Sequence, residues 1–166
     1  KYGYEKATLD QIISLADVGK GTVYKYFGNK EQLFYKLVSA KNEPFVEALR
    51  VAVESESELK DKLTAYFKVM VEFYQKNCAL WQIIYYEMLN DTHCTVVFDA
   101  EDNAQVISRY SEDTVSDEVK ERFLRYHNLL TSEFEILYKI VVDGMKEGTL
   151  KSGNARIAGS HLFFGV

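Results

Sequence analysis

Two cysteines, one proline and one tryptophan are spread over 166 residues. Cys78 and Cys94 have no CxxC spacing, so neither a disulfide framework nor a zinc site is expected. His93 lies beside Cys94 but lacks further ligands at useful spacing, so no metal or other cofactor is expected. No apolar run approaches the length of a membrane span and no signal peptide is visible, which makes the cytoplasm the expected location. Catalytic signatures are missing as well: there is no GxSxG, no HExxH and no Rossmann glycine pattern. Gly19-Lys20-Gly21-Thr22 has a passing likeness to a phosphate loop. Ser14 stands where that motif needs its first glycine, and glycine follows the lysine, so the motif fails. Nothing points to an enzyme.

Charge of one sign is scarce too. The formal net charge is −5, which excludes a polyanion binder working by bulk attraction. The distribution is uneven, however. Residues 1–38 carry six lysines against four acids, and residues 39–166 carry fourteen basic against twenty-one acidic side chains. A mildly basic head on an acidic body suits a reader of DNA that uses a small patch.

What is present is helix. With 47% hydrophobic and 27% charged residues the composition is globular, and the length suits one or two small domains. The most informative stretch is Thr8–Gln32. Thr8 with Gln11 three residues on reads as a capping box, and Leu9, Ile12, Ile13 and Ala16 form an apolar stripe. Asp17-Val18-Gly19 breaks the period, and a helix of about two turns, Lys20 to Phe27, follows. That helix is poorly made for a purely structural part. Lys20 meets the positive end of the helix dipole, and Gly21 costs roughly 1 kcal/mol relative to alanine. Val23 and Phe27 anchor one face, leaving Lys20, Thr22, Lys25 and Tyr26 to project elsewhere. A duplex groove accepts cations at a helix tip and lets a glycine backbone come close; an ordinary helix pair with a solvated lysine face is the competing reading.

Gly3-Tyr4, the Thr8-initiated helix, KGTVYKYF and Asn29-Lys30-Glu31 together resemble the DNA-binding domain of the tetracycline-repressor (TetR) family of bacterial transcriptional regulators. The resemblance covers about residues 3 to 38. It departs from the pattern at Asp17, where the family has glycine in the turn, and at Gly19, where it has a serine or threonine cap. Asp17 tolerates a left-handed backbone, and glycine is a weaker but acceptable cap.

Further along, Asn29 reads as the cap of a helix with an inward stripe of Leu33, Phe34, Leu37 and Val38. Pro44 predicts a kink or restart, and the domain boundary is expected at 40–44. Ser55 and Glu58 suggest a second capping box before Leu59, Leu63, Tyr66, Phe67, Met70, Phe73 and Tyr74. The run 79–89 has only Gln82 and Glu87 as polar residues and predicts a helix buried all round. Residues 90–116 predict a loop with one short helix near Ala104–Tyr110, and Thr95–Phe98 is too short a run to carry a strand. From Asp117 a long helix is expected through Val119, Phe123, Tyr126, Leu130, Phe134, Leu137, Val141 and Met145, stopped at Gly148. A last helix is expected from about Asn154.

The resemblance implies an all-α protein: a helix-turn-helix head in 1–44, whose first helix is expected to be missing, and a helical effector-binding and dimerisation domain in 45–166, whose last helix is expected to be cut short. It also implies a ligand-responsive repressor that binds a pseudo-palindromic operator as a dimer through its last two helices, where Ala158 and Gly159 suggest close helix approach. The implied DNA contacts are Lys20, Thr22, Lys25 and Tyr26 toward base edges or nearby backbone, Tyr24 and Lys30 on phosphate, and Thr8 near the backbone. Tyr66, Met70, Trp81, Tyr85, Glu87, Tyr126, Phe134 and Tyr138 are implied to line a pocket for an apolar or amphipathic molecule, with Glu87 as a carboxylate in need of a partner; for each aromatic, ordinary core packing is the competing reading. The rival functions are a DNA-binding regulator without an inducer and a helical protein–protein adaptor.

Overall fold

A computed structural model describes residues 6–90, 94–98, 104–108 and 116–164, some of them by backbone alone. The elements run α1 Leu9–Ala16, α2 Lys20–Phe27, α3 Lys30–Glu54, α4 Leu59–Asn90, β1 Cys94–Phe98, β2 Ala104–Ser108, α5 Asp117–Lys146 and α6 Ala155–Phe164. They form two compact units, Lys1–Pro44 and Phe45–Val166.

In the first unit the Thr8 capping box is present in full. Thr8 Oγ1 accepts from the Gln11 backbone N–H at 3.2 Å, and Gln11 Oε1 accepts from the Thr8 N–H at 3.0 Å. α1 ends where Asp17 enters the left-handed region at φ 53, and α2 starts from Gly19 with no side-chain cap. Leu9, Ile13 and Val23 are buried together, with Phe27 and Leu33 packed against them. Gly28, at φ 71, turns the chain out of α2 in a conformation that costs most other residues steric strain. Asn29 Oδ1 then caps α3 by accepting from the Gln32 N–H at 2.8 Å.

The helix does not restart at Pro44, as its residue type predicted; α3 runs unbroken through it. Proline's missing N–H leaves the Ala40 carbonyl without its helical donor. Both residues are exposed, so water can satisfy that oxygen.

The second unit is built on α4 and α5. Tyr66, Leu137, Ile140, Leu49, Phe45 and Val53 form its buried cluster, with Leu59, Leu63, Met70 and Phe73 packed around it. Three sequence expectations need correcting here. Ser55 does not cap α4: its hydroxyl donates to the Val51 carbonyl at 2.7 Å and closes α3, while the Glu58 carbonyl receives the first N–H bonds of α4. The 79–89 run is not buried all round, because Ala79 and Gln82 are exposed while Trp81 and Ile84 are buried. α4 is interrupted at Asn77, whose backbone leaves helical geometry and whose Nδ2 donates to the Phe73 carbonyl at 2.9 Å.

The third correction lies between α4 and α5. The expected loop with a short helix is an antiparallel hairpin in which Cys94 faces Ser108 and Phe98 faces Ala104. His93 lies outside the described residues. α5 ends at Lys146, and Gly148 at φ 74 supplies the left-handed turn that lets the Leu150 N–H reach the Gly144 carbonyl. Asn154 Oδ1 caps α6 by accepting from the Ile157 N–H. No described helix is long and apolar enough to cross a membrane.

Candidate nucleic-acid interface and effector core

In the body, the expected ligand residues fall in two places. Tyr66, Met70 and Trp81 lie on α4 in an aromatic group where Phe45 stacks on Phe73 at 3.8 Å and Trp81 lies 5.0 Å from Tyr74. Phe134 and Tyr138 lie instead on α5 beside α6, ring to ring at 6.3 Å, with Phe163 5.9 Å from Phe134. Tyr126 is buried on α5. The side chains of Tyr85 and Glu87 lie outside the described residues, as do those of Val119, Phe123 and Leu130.

Among the described residues, the buried carboxylate is Glu133, which sequence reasoning passed over. Its Oε2 accepts from Tyr74 Oη at 2.9 Å, its main-chain carbonyl accepts from Tyr66 Oη at 3.1 Å, and its Oε1 has no donor among the described residues. Burial pushes its pKa up to about 8, against a smaller opposing pull from the Tyr74 hydrogen bond. The same burial, with Glu133 nearby, raises both tyrosines well above the usual phenol range. The Trp81 Nε1 likewise finds no acceptor among the described residues. A separate cleft of about 640 Å³ opens over α3 and α5, floored by Val46, Val53, Ile136 and Ile140 and rimmed by Arg50, Lys62, Lys139 and Asp143. None of the six expected ligand residues with described side chains lines it.

In the head, α2 buries Val23 and exposes Lys20, Thr22, Tyr24, Lys25 and Tyr26. A Cβ built on Gly21 would meet nothing within 4 Å, so this part of the helix surface is open. Two of the exposed side chains are engaged. Lys20 Nζ donates to Asp10 Oδ2 at 2.7 Å, and Tyr24 Oη donates to Asp10 Oδ1 at 3.0 Å. The lysine also sits 5.5 Å from the centre of the Tyr24 ring. The hydrogen bond from Lys20, then that from Tyr24, holds Asp10 below its ordinary value; Lys20 and Tyr24 are both raised by bonding to it.

The family model for bacterial regulatory proteins of the tetR family matches residues 1–37. The head matches that family's sequence pattern. The HTH-type transcriptional regulator YhgD of Bacillus subtilis is 27% identical over 152 residues, covering 91% of this chain and 65% of its own length. This chain therefore spans just under two thirds of that relative. The fatty acid metabolism regulator protein of B. subtilis is 25% identical over 162 residues, covering 97% of this chain and 70% of its own. Among solved structures, FadR of B. subtilis in complex with stearoyl-CoA superposes with a TM-score of 0.69 at 20% identity, covering 98% of this chain and 74% of that one. PfmR of Thermus thermophilus, a TetR family regulator, gives 0.68 at 17% identity, covering 98% and 74%. The whole chain thus shares the fold of these solved regulators, all-α apart from the paired strands β1 and β2.

Within the head, Lys20, Thr22, Lys25 and Tyr26 share the exposed surface of α2, and Tyr24 is drawn toward α1. Thr8 is exposed, with its hydroxyl oxygen taken by the cap. Lys30 is half-buried in the first turn of α3. Two side chains escaped sequence reasoning. Asp10 is one. Lys36 is the other: its Nζ donates to the Tyr26 carbonyl at 3.0 Å and lies 5.3 Å from the Phe27 ring, completing the carboxyl end of α2. Gly159 packs closely against a helix of its own chain. A Cβ there would already lie 3.4 Å from the Phe134 ring of the same chain.

Proposed function

We propose that this chain is a ligand-responsive transcriptional repressor, with residues 1–44 reading duplex DNA and residues 45–166 binding an effector and dimerising. The observation that carries this is the exposed face of α2, on which Lys20, Thr22, Lys25 and Tyr26 project around an unobstructed Gly21 while Val23 anchors the helix from behind. Lysine can donate to guanine acceptors, and the threonine methyl can touch thymine. Tyr24 and Lys30 are assigned to phosphates, and Thr8 to the position of α1 near the backbone.

The effector is an amphipathic molecule with a long acyl chain. Two things support this: the likeness to a fatty acid metabolism regulator over nearly the whole chain, and an aromatic body able to accommodate an apolar tail. Tyr66, Met70, Trp81, Tyr85, Glu87, Tyr126, Phe134 and Tyr138 remain the residues assigned to it. Its binding would shift the population of heads away from the spacing that fits an operator. A single head reads few base pairs, so the operator is a pseudo-palindrome read by a homodimer. The protein acts in the cytoplasm, where the DNA is.

The test is a gel shift against the DNA flanking the protein's own gene, repeated with fatty acyl thioesters of increasing chain length. The expected result is a retarded band that long acyl chains abolish and short ones leave. A band that no acyl compound affects would remove the effector class, and no band at any salt concentration would remove DNA reading.

A further inference from the structure

Among the described residues, Asp10 is the acidic side chain that hydrogen bonds hold against the exposed face of α2. Both of its oxygens are engaged, one by the Lys20 ammonium at 2.7 Å and one by the Tyr24 hydroxyl at 3.0 Å. That arrangement of one ammonium and one hydroxyl on two oxygens of an anion is also what a backbone phosphate would offer the same two donors. The pair is well exposed, with 63% of the Lys20 side chain and 54% of the Asp10 side chain accessible. It can therefore open toward a competing anion.

We propose that Asp10 is a specificity-determining residue: it stands in the place of a DNA phosphate and keeps Lys20 and Tyr24 from closing on duplexes of arbitrary sequence. The inference rests on the DNA-reading assignment made above. A phosphate alone offers Lys20 little that Asp10 does not already supply. A base edge is a neutral acceptor, but it is reached in register with the neighbouring side chains of α2. The contacts that form together there offset the opening of the pair. The carboxylate thus discounts the sequence-independent part of binding, which comes almost wholly from phosphate neutralisation, and leaves base reading nearly intact.

The test measures binding of the whole chain to a mixed-sequence duplex across a salt series, for wild type, Asp10→Asn, Lys20→Met and the double variant. Asp10→Asn should bind roughly two- to fivefold tighter, the range that an exposed ion pair can hold back. Its log–log salt slope should steepen by about 0.9, the signature of one more phosphate neutralised. In the Lys20→Met background the same substitution should leave the slope unchanged and lose most of the gain. An equal gain with and without Lys20 would mean that Asp10 acts only as a nearby negative charge, and would overturn the proposal. So would the absence of any gain. If wild type and all three variants fail to retain the duplex even at low salt, the DNA-reading assignment falls, and this inference with it. Circular dichroism of each variant separates these outcomes from misfolding, and Asp10→Ser, which removes the charge with a smaller side chain, repeats the test if the asparagine variant does not fold.

Discussion

Glu133 and Lys30 illustrate how differently single residues act in the two units. Glu133 is fully buried, and its carboxyl is pushed up to about 8 from an ordinary 4.5 by that burial. The folded state therefore favours the neutral acid. Below about pH 4.5 the group is protonated whether or not the chain is folded, and it costs nothing. As pH rises toward 8 the unfolded chain ionises and the folded chain does not, so stability falls across that window and levels off above it. Glu133→Gln keeps the shape of the neutral acid and the hydrogen bond with Tyr74. It should flatten the melting temperature between pH 5 and 8, by an amount equivalent to roughly a few kcal/mol. A variant that still loses stability as steeply would assign the slope to other groups. Lys30 is assigned to binding under the proposed function instead. Lys30→Ala should weaken all duplexes alike and reduce the salt slope by about 0.9 for each phosphate it no longer neutralises. An unchanged slope would take Lys30 out of the interface.

At the scale of the element, α2 sets helix stability against exposure. Gly21 lies inside the helix with open space where a Cβ would be, so Gly21→Ala should stabilise the head by about 1 kcal/mol. The added methyl would stand on the face assigned to DNA, so the same variant should bind duplexes more weakly. A thermal melt and a binding isotherm read the two effects separately; stabilisation with unchanged binding would move the interface off this face. The elements also differ in how well the sequence revealed them. α1, the Asp17 turn and α2 were legible because their signals are local: a capping box, a residue able to adopt positive φ, and a 3.6-residue period all act within a few positions. The β1–β2 hairpin was not. Thr95–Phe98 hinted at a strand, but Ala104–Ser108 becomes one only through cross-strand pairing, which no local propensity encodes. Asp10 was overlooked for a similar reason, since its two donors lie ten and fourteen residues away on another helix. Glu133 was more accessible: it precedes Phe134 on the inward stripe of α5, so the stripe itself placed a carboxylate at the edge of the core.

For the whole molecule, the pseudo-palindromic operator proposed above would require two heads to be brought together. α6 buries Gly159 against Phe134 and leaves Ile157 at 57% and Leu162 at 46% exposure. Apolar side chains left on one helix in this way suit an interface with a second copy. Ile157→Lys with Leu162→Lys should shift sedimentation from dimer toward monomer at micromolar concentration, with helix content preserved. A dimer that persists through both charges would place the interface elsewhere on the body.

The solitary Trp81 gives the body an intrinsic optical reporter. Its indole is nearly sealed from solvent, lies against Tyr74 and Phe73, and has no acceptor for its Nε1 hydrogen among the described residues. Ultraviolet emission from the unlabelled protein should therefore come from a single apolar environment, blue-shifted relative to free indole. A titration with acyl compounds should move or quench that emission if they enter among these rings. Emission that stays fixed while DNA is released would direct attention to the charged cleft over α3 and α5.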